Sequence, residues 1–572
     1  MTAPEYAASG HAAPDHATSG HTAPGHTASG YADLLFTGGE VVTADEQFTV
    51  AEALAVRDGH IAAVGSADRL RDLIGPRTEV VDLAGRTLLP GINDAHCHAA
   101  AHGGSRPPFC LDLGPATTTD LAALLDTVRA AAETPRGRWI RGAGWDPVSL
   151  GGRTPDRSVL DTVAPDHPVA LQDFSGHRLC ANSAALRAAG LAPAAYPDGM
   201  LHEGAQGLIQ ERIPEPTPAE ARQAVRAAVA DLNARGITSF TEPGLGPGGA
   251  HDFGGFLGPS VLGAYADLAA RGELTARVSA LLLFSPIGTG ATARITDGLA
   301  RFRVPESADQ RRLRVLGVKI FADGVPAHGT AWMNQGYADG SGHGGLCLHG
   351  DSTAEQAAEL AAMVRTVHAA GLQAGIHVTG DRAIDAAVDA LAAALRELPR
   401  EDARHYLIHC NFPSASALRT MADLGIGASM NPGLRWLASD MITKILDADH
   451  AERAFPLRSA LAAGVRTTTG SDAPCVAPDW LRGLSSAMLR DTRSGPTPVG
   501  PAERVTLAQA VRSCTATAAW QDHAEDWKGT LEPGKVADLC LLGGSLLRTD
   551  PDQLPALPVD LTVLEGEVVH AG

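Results

Sequence analysis

Gly91-Ile92-Asn93-Asp94-Ala95-His96-Cys97-His98 is the stretch that decides how this chain is read. It follows Arg86-Thr-Leu-Leu-Pro90, a short apolar run with the look of a strand, and residues two apart in a strand share a face. On that reading His96 and His98 converge on one side while Cys97 points into the packing on the other. Two imidazoles on one face can grip a single divalent ion. A His-x-His pair also arises by chance, so the reading depends on partners elsewhere in the chain.

Downstream, short apolar runs alternate with Ala-rich helical segments, the rhythm of β/α units around a parallel barrel. The expected strands are 236–242, 276–283, 316–323, 372–378, 405–409, 426–431 and 466–472, which with the His96 strand make eight. Four of those after the first place Lys319, His377, His409 and Asp472 toward the C-terminal end. In a barrel those ends share the face that carries chemistry. With His96 and His98 they supply four imidazoles, a carboxylate and an amine, a set suited to Zn²⁺ or a similar ion.

Outward from the barrel the pattern changes at both ends. Runs at 34–36, 40–43, 53–56, 60–64 and 79–82 read as a small sheet, and those at 534–542 and 560–570 read as its completion from the far terminus. Domains are therefore expected at 32–90 plus 530–572, a composite β-sandwich, and at 91–529, the barrel. The interval 104–235 is too long for one crossover and is expected to hold an insertion at the barrel mouth. Residues 1–31 repeat a ten-residue Ala/Pro/His/Ser/Gly unit with nothing to bury, which is expected to be disordered.

Composition narrows the function classes. Over 572 residues, 46 basic against 65 acidic side chains give a net charge of -19, which disfavours nucleic acid and anionic membranes. A small-molecule substrate is the expected partner, and a homodimer is compatible with it. The eight cysteines are scattered without a Cys-x-x-Cys motif, and no long apolar run or signal-type N-terminus occurs, so a cytoplasmic protein is expected.

The stretches PGINDAHCH, WIRGAGWD, VKIFADG, GIHVTGDRAID, HYLIHCNFP, TTGSDAP, TATAAW and GTLEPGKVADLCLL together resemble the amidohydrolase superfamily. Within it they resemble amidohydrolase family 3, the YtcJ-like branch, from about residue 32 to 572. The resemblance implies a distorted (β/α)8 TIM barrel flanked by a β-sandwich. It makes His96, His98 and Asp472 ligands of a buried metal, His377 and His409 ligands of a more exposed one, and Lys319 an N6-carboxylated bridge, most simply between two Zn²⁺. The implied activity is hydrolysis of a C–N bond of amide, formamide, imide or carbamate type by metal-activated hydroxide, with Asp472 as the proton carrier.

Asp323, Asp381 and Arg382 closely follow the ligand strands, and with Trp145 and His177 from the insertion they are the candidate substrate contacts. Gly329 stands where many relatives carry an Arg, and "LIHC" where many have Ile-Glu-His. Two alternatives remain: a non-catalytic regulator on the same scaffold, which the intact ligand set opposes, and a metal-dependent deaminase or isomerase, which Lys319 opposes.

Overall fold

The computed structural model describes residues 30–174, 176, 178–250, 252–303, 305 and 309–572; the repeat up to Ser29, and His177, lie outside them. The barrel strands are β1 (Ile92–Asp94), β2 (Ile237–Leu245), β3 (Arg277–Leu282), β4 (Leu313–Phe321), β5 (Gln373–Val378), β6 (Tyr406–His409), β7 (Gly427–Met430) and β8 (Thr467–Thr469). All eight run parallel in sequence order. Strands packed on both faces read as continuous apolar runs, and every residue of β2, β3 and β5 is buried. Long helices, among them Thr353–Ala369 and Asp381–Glu397, cover the outside.

Between β8 and β1 no ladder forms, and other bonds close the ring. The Ala95 amide donates to the Thr469 carbonyl (3.3 Å), the Asp472 amide to the His96 carbonyl (2.7 Å) and the Ser471 amide to Asp94 Oδ1 (2.8 Å). From below, Gln521 Nε2 donates to the Ala95 carbonyl (3.0 Å), and Asp522 accepts from Asn93 Nδ2 of β1 (2.7 Å) and Thr241 Oγ1 of β2 (3.1 Å).

The expected strand through His96 is corrected. Residues Thr87–Pro90 belong to a different sheet, where Pro90 lies opposite Leu539, and β1 ends at Asp94. His96 and His98 sit in the bend beyond it, and His98 is the residue from which helix Ala99–Gly104 starts. The Asp94 side chain takes the His96 amide (3.3 Å) as well as that of Ser471, which turns the chain out of the ladder.

The terminal sheet has eight strands, five from Leu34–Pro90 and three from Leu539–Ala571, joined in one hydrogen-bonded order. Phe36, Leu54, Leu88, Leu539 and Val563 share one apolar cluster, so neither end of the chain completes this core alone. A third sheet of five strands lies between Leu111 and His202, after helix Ala99–Gly104. Helix Pro218–Asn233, inside the range expected for the insertion, packs on Ala99–Gly104 and leads directly into β2, so it is the barrel's own crossover helix.

A buried ion pair locks the terminal sheet to the barrel. Arg277 at the start of β3 donates through Nε (2.7 Å) and Nη2 (3.0 Å) to Asp538, and both side chains are almost wholly buried. Removing one member leaves an uncompensated buried charge, typically costing about 3–5 kcal/mol. Asp538→Ala is therefore expected to destabilise the protein by that amount in urea titration. A loss under about 1 kcal/mol would show that the pair does not hold the two parts together.

Candidate metal centre

The ladder registers set the height of each chemical group around the mouth. Lys319 on β4 lies opposite Gly375 of β5, Phe321 opposite His377, and Val378 of β5 opposite His409 at the end of β6. Asp472 lies three residues beyond β8 and His96 two beyond β1. His409 and Asp472 both have left-handed backbones, φ 69° and 64°, a conformation that costs free energy in non-glycine residues and recurs at functional sites. Gly470 allows the close approach of the last strand to the first: a Cβ there would lie 2.5 Å from the His96 amide nitrogen.

His96, His98 and Asp472 form one cluster whose donor atoms lie within 4.8 Å of one another. Asp472 Oδ1 is 3.0 Å from His96 Nε2 and 3.5 Å from His98 Nε2. The His96 ring stands edge-on to those of His98 (5.1 Å between centroids) and His409 (5.2 Å), and His409 to His377 (4.7 Å). Four imidazoles thus form a continuous patch over the strand ends, with the Lys319 ammonium nitrogen 4.7 Å from the Phe321 ring centroid.

Hydrogen bonds to the outer ring nitrogens orient two of these imidazoles. His409 donates from Nδ1 to Asn431 Oδ1 (2.8 Å), leaving Nε2 for the site, and Asn431 is anchored in turn by donating from Nδ2 to the Gly470 carbonyl (2.9 Å). His377 donates from Nε2 to the Gly324 carbonyl (3.1 Å), leaving Nδ1. Asn431 went unnoticed in the sequence because a lone Asn after a strand carries no spacing signal.

The donor set fits a divalent cation. Buried His96 Nε2, the nitrogen 3.0 Å from Asp472 Oδ1, makes no hydrogen bond to any described residue, which is costly for a nitrogen that nothing else engages. Burial holds the imidazoles of His96, His377 and His409 below the ordinary 6.5, and that of His98 down at about 3. They are neutral at pH 7, the form that ligates metal. Burial also brings the Lys319 amine down to about 7, against the opposing effect of the Asp472 charge.

The remaining candidates have other work. Trp145 is corrected: it lies wholly buried in the core of the inserted sheet, and its indole N–H donates to the Leu171 carbonyl (3.0 Å), so no substrate reaches it. Asp323 accepts from the amides of Thr379 (2.9 Å), Gly380 (2.8 Å) and Trp332 (3.0 Å), stapling the loops after β4 and β5, and burial still raises it to about 7. Asp381 likewise takes the Asn334 amide (2.8 Å). Arg382 is exposed, its guanidinium 4.4 Å from the centroid of the Trp332 ring. Gly329 closes a short turn at φ 68°, which a glycine adopts without strain.

The sequence matches the model of the amidohydrolase family over residues 79–570. The chain belongs to the amidohydrolase family. It is 28% identical to YtcJ of Bacillus subtilis, an amidohydrolase by name, over 94% of this chain and 99% of that one. It is also 28% identical to an N-substituted formamide deformylase of Arthrobacter pascens, over 93% of this chain and 97% of the relative. Among solved structures, a metal-dependent hydrolase of Pyrococcus horikoshii shares the fold with a TM-score of 0.70 at 21% identity, over 94% of this chain and all of that one.

The buried histidines make stability depend on pH in a definite direction. Their folded values lie below the ordinary 6.5, so the folded state excludes a proton that the unfolded chain binds. Their contribution is complete above pH 6.5 and is lost as pH falls toward the folded values, about 3 for His98. The buried carboxyls of Asp94, Asp323 and Glu242, raised to about 6, 7 and 8, act in the opposite direction over the same range, so the test follows the imidazoles themselves: in the metal-free protein their NMR signals are expected to stay those of neutral rings from pH 7 to pH 6. Protonation of these rings at the ordinary 6.5 would contradict the neutral, buried assignment.

Proposed function

We propose that this protein hydrolyses a C–N bond of a small molecule at a divalent metal centre, most simply two Zn²⁺. His96, His98 and Asp472 would hold one ion, His377 and His409 the other, and carboxylated Lys319 would join them. The observation that carries the reading is the tight His96, His98 and Asp472 cluster beside the buried Lys319, whose charge interacts with that of Asp472. A bound divalent ion supplies Lewis acidity, polarising a scissile carbonyl and acidifying water.

The chain's own groups do the rest. The Asp472 carboxylate, close to both His96 and His98, can take a proton from water and hand it to the departing nitrogen. Lys319, titrating near 7, offers a substantial fraction of neutral amine at physiological pH. Its nitrogen can form a bond to the carbon of CO₂ and release a proton, giving an anionic carbamate where an ammonium would be repelled by cations.

The likeness to the formamide deformylase makes N-substituted formamides the first substrates to try, followed by N-acyl amino acids, cyclic imides and carbamates. The net charge of -19 supports a small-molecule partner over nucleic acid or an anionic membrane, and no described helix is long and apolar enough to cross a membrane. We further propose a cytoplasmic location, in keeping with eight cysteines none of which is paired.

Lys319→Ala is expected to lower kcat/KM by more than about 100-fold, beyond the usual loss for a residue that merely supports a ligand. Metal content measured by elemental analysis should fall with it, and short carboxylic acids should restore part of both. Near-parental turnover with full metal occupancy would refute the bridging role.

A further inference from the structure

Helix Ala99–Gly104 begins immediately behind His98 and has an irregular start. First-turn amides of a helix need acceptors, and the residue at the N-cap normally provides one from a Ser, Thr, Asp or Asn side chain. Here that residue is His98, whose side chain makes no capping bond because the imidazole is turned to the metal centre. The acceptor comes from another strand. Glu242 of β2, wholly buried, takes the Ala100 amide on Oε2 (3.1 Å) and also accepts from the amide of Ala99.

Glu242 is fixed in its turn. The Tyr265 hydroxyl, on helix Pro259–Ala270, donates to the same Oε2 (2.5 Å). One residue earlier, the Thr241 carbonyl takes the amide of Cys97, between the two histidines (3.0 Å). On the far side the short helix lies so close to helix Pro218–Asn233 that a Cβ at Gly103 would collide with the Ala224 carbonyl. The segment carrying both histidines is thus held from β2 and from the crossover helix together.

We propose that Glu242 is a positioning residue for the metal ligand His98: with Tyr265 behind it, it supplies in trans the helix cap that His98 gives up in order to face the metal centre. This rests on the metal reading given above. An acidic residue buried in the wall of a barrel otherwise costs stability, and a carboxyl aimed at the first turn behind a ligand has a use that offsets the cost. Burial pushes the Glu242 carboxyl up to about 8, so near neutral pH it keeps its proton much of the time and a neutral amide is a fair substitute.

The test compares Glu242→Ala with Glu242→Gln. Zn²⁺ affinity is read by competition with a chelator, and amide exchange at residues 99–104 is read in the metal-free protein. Glu242→Ala is expected to weaken Zn²⁺ binding about 10-fold or more, the range for outer partners of metal ligands, and to speed exchange at Ala99 and Ala100 by a similar factor. Glu242→Gln keeps an acceptor and should stay within about threefold of the parent on both counts. If Glu242→Ala does not fold, Glu242→Asp replaces it, since its shorter side chain withdraws the carboxyl from the amides, and it should show the same loss.

A folded Ala or Asp variant with parental Zn²⁺ affinity would overturn the proposal, as would a loss in Glu242→Gln equal to that in Glu242→Ala. Should the parent itself bind no Zn²⁺, the metal reading fails separately, and faster exchange at Ala99 and Ala100 in the Ala variant would still support the clamp.

Discussion

The barrel closes and its chemical site forms at the same seam. One carboxylate, Asp94, ends β1 and accepts both the amide of His96 and that of Ser471, so the segments that carry His96 and Asp472 hang on a single buried group. Burial raises this carboxyl to about 6, and the Ser471 and His96 amides act against that rise. No ladder joins β8 to β1, which leaves room for the bend that turns His96 and His98 inward.

Support for the seam comes from below and from the side. Gln521 holds the carbonyl just before His96, and it also accepts from Thr468 Oγ1 of β8 (2.8 Å), so the last helix of the barrel touches both edges of the gap. Asp522 beside it binds Lys528 (2.7 Å) as well as Asn93 and Thr241, a buried charge with its counterion and its hydrogen bonds in place. Glu242 acts on the next residues along. A metal site demands ligand positions good to a fraction of an ångström, and the segments carrying the proposed ligands His96, His98, His377, His409 and Asp472 are each tied to a residue outside that set.

Much of this could be read from the sequence. Alternation of apolar runs with Ala-rich helices gave the barrel, and Lys319, His377, His409 and Asp472 stood out against the apolar residues around them. The structure brings His96, His98, Lys319, His377, His409 and Asp472 to one face of the ring. Period-two reading failed at β1 because it cannot see a side chain ending a ladder: Asp94 looks like one more strand residue until its oxygen is found on the His96 amide. Trp145 misled for the opposite reason, since an aromatic in a distinctive motif looks functional, yet its N–H is spent on Leu171. Asn431 and Glu242 were silent because their roles depend on partners distant in the chain.

The central claim is a metal centre built on His96, His98 and Asp472. X-ray data collected from crystals of the zinc-replete protein on both sides of the zinc absorption edge test it most directly. An anomalous peak is expected between His96 Nε2, His98 Nε2 and Asp472, with a second toward His377 and His409. A map with no peak at the first position, from crystals shown to contain zinc, would contradict it.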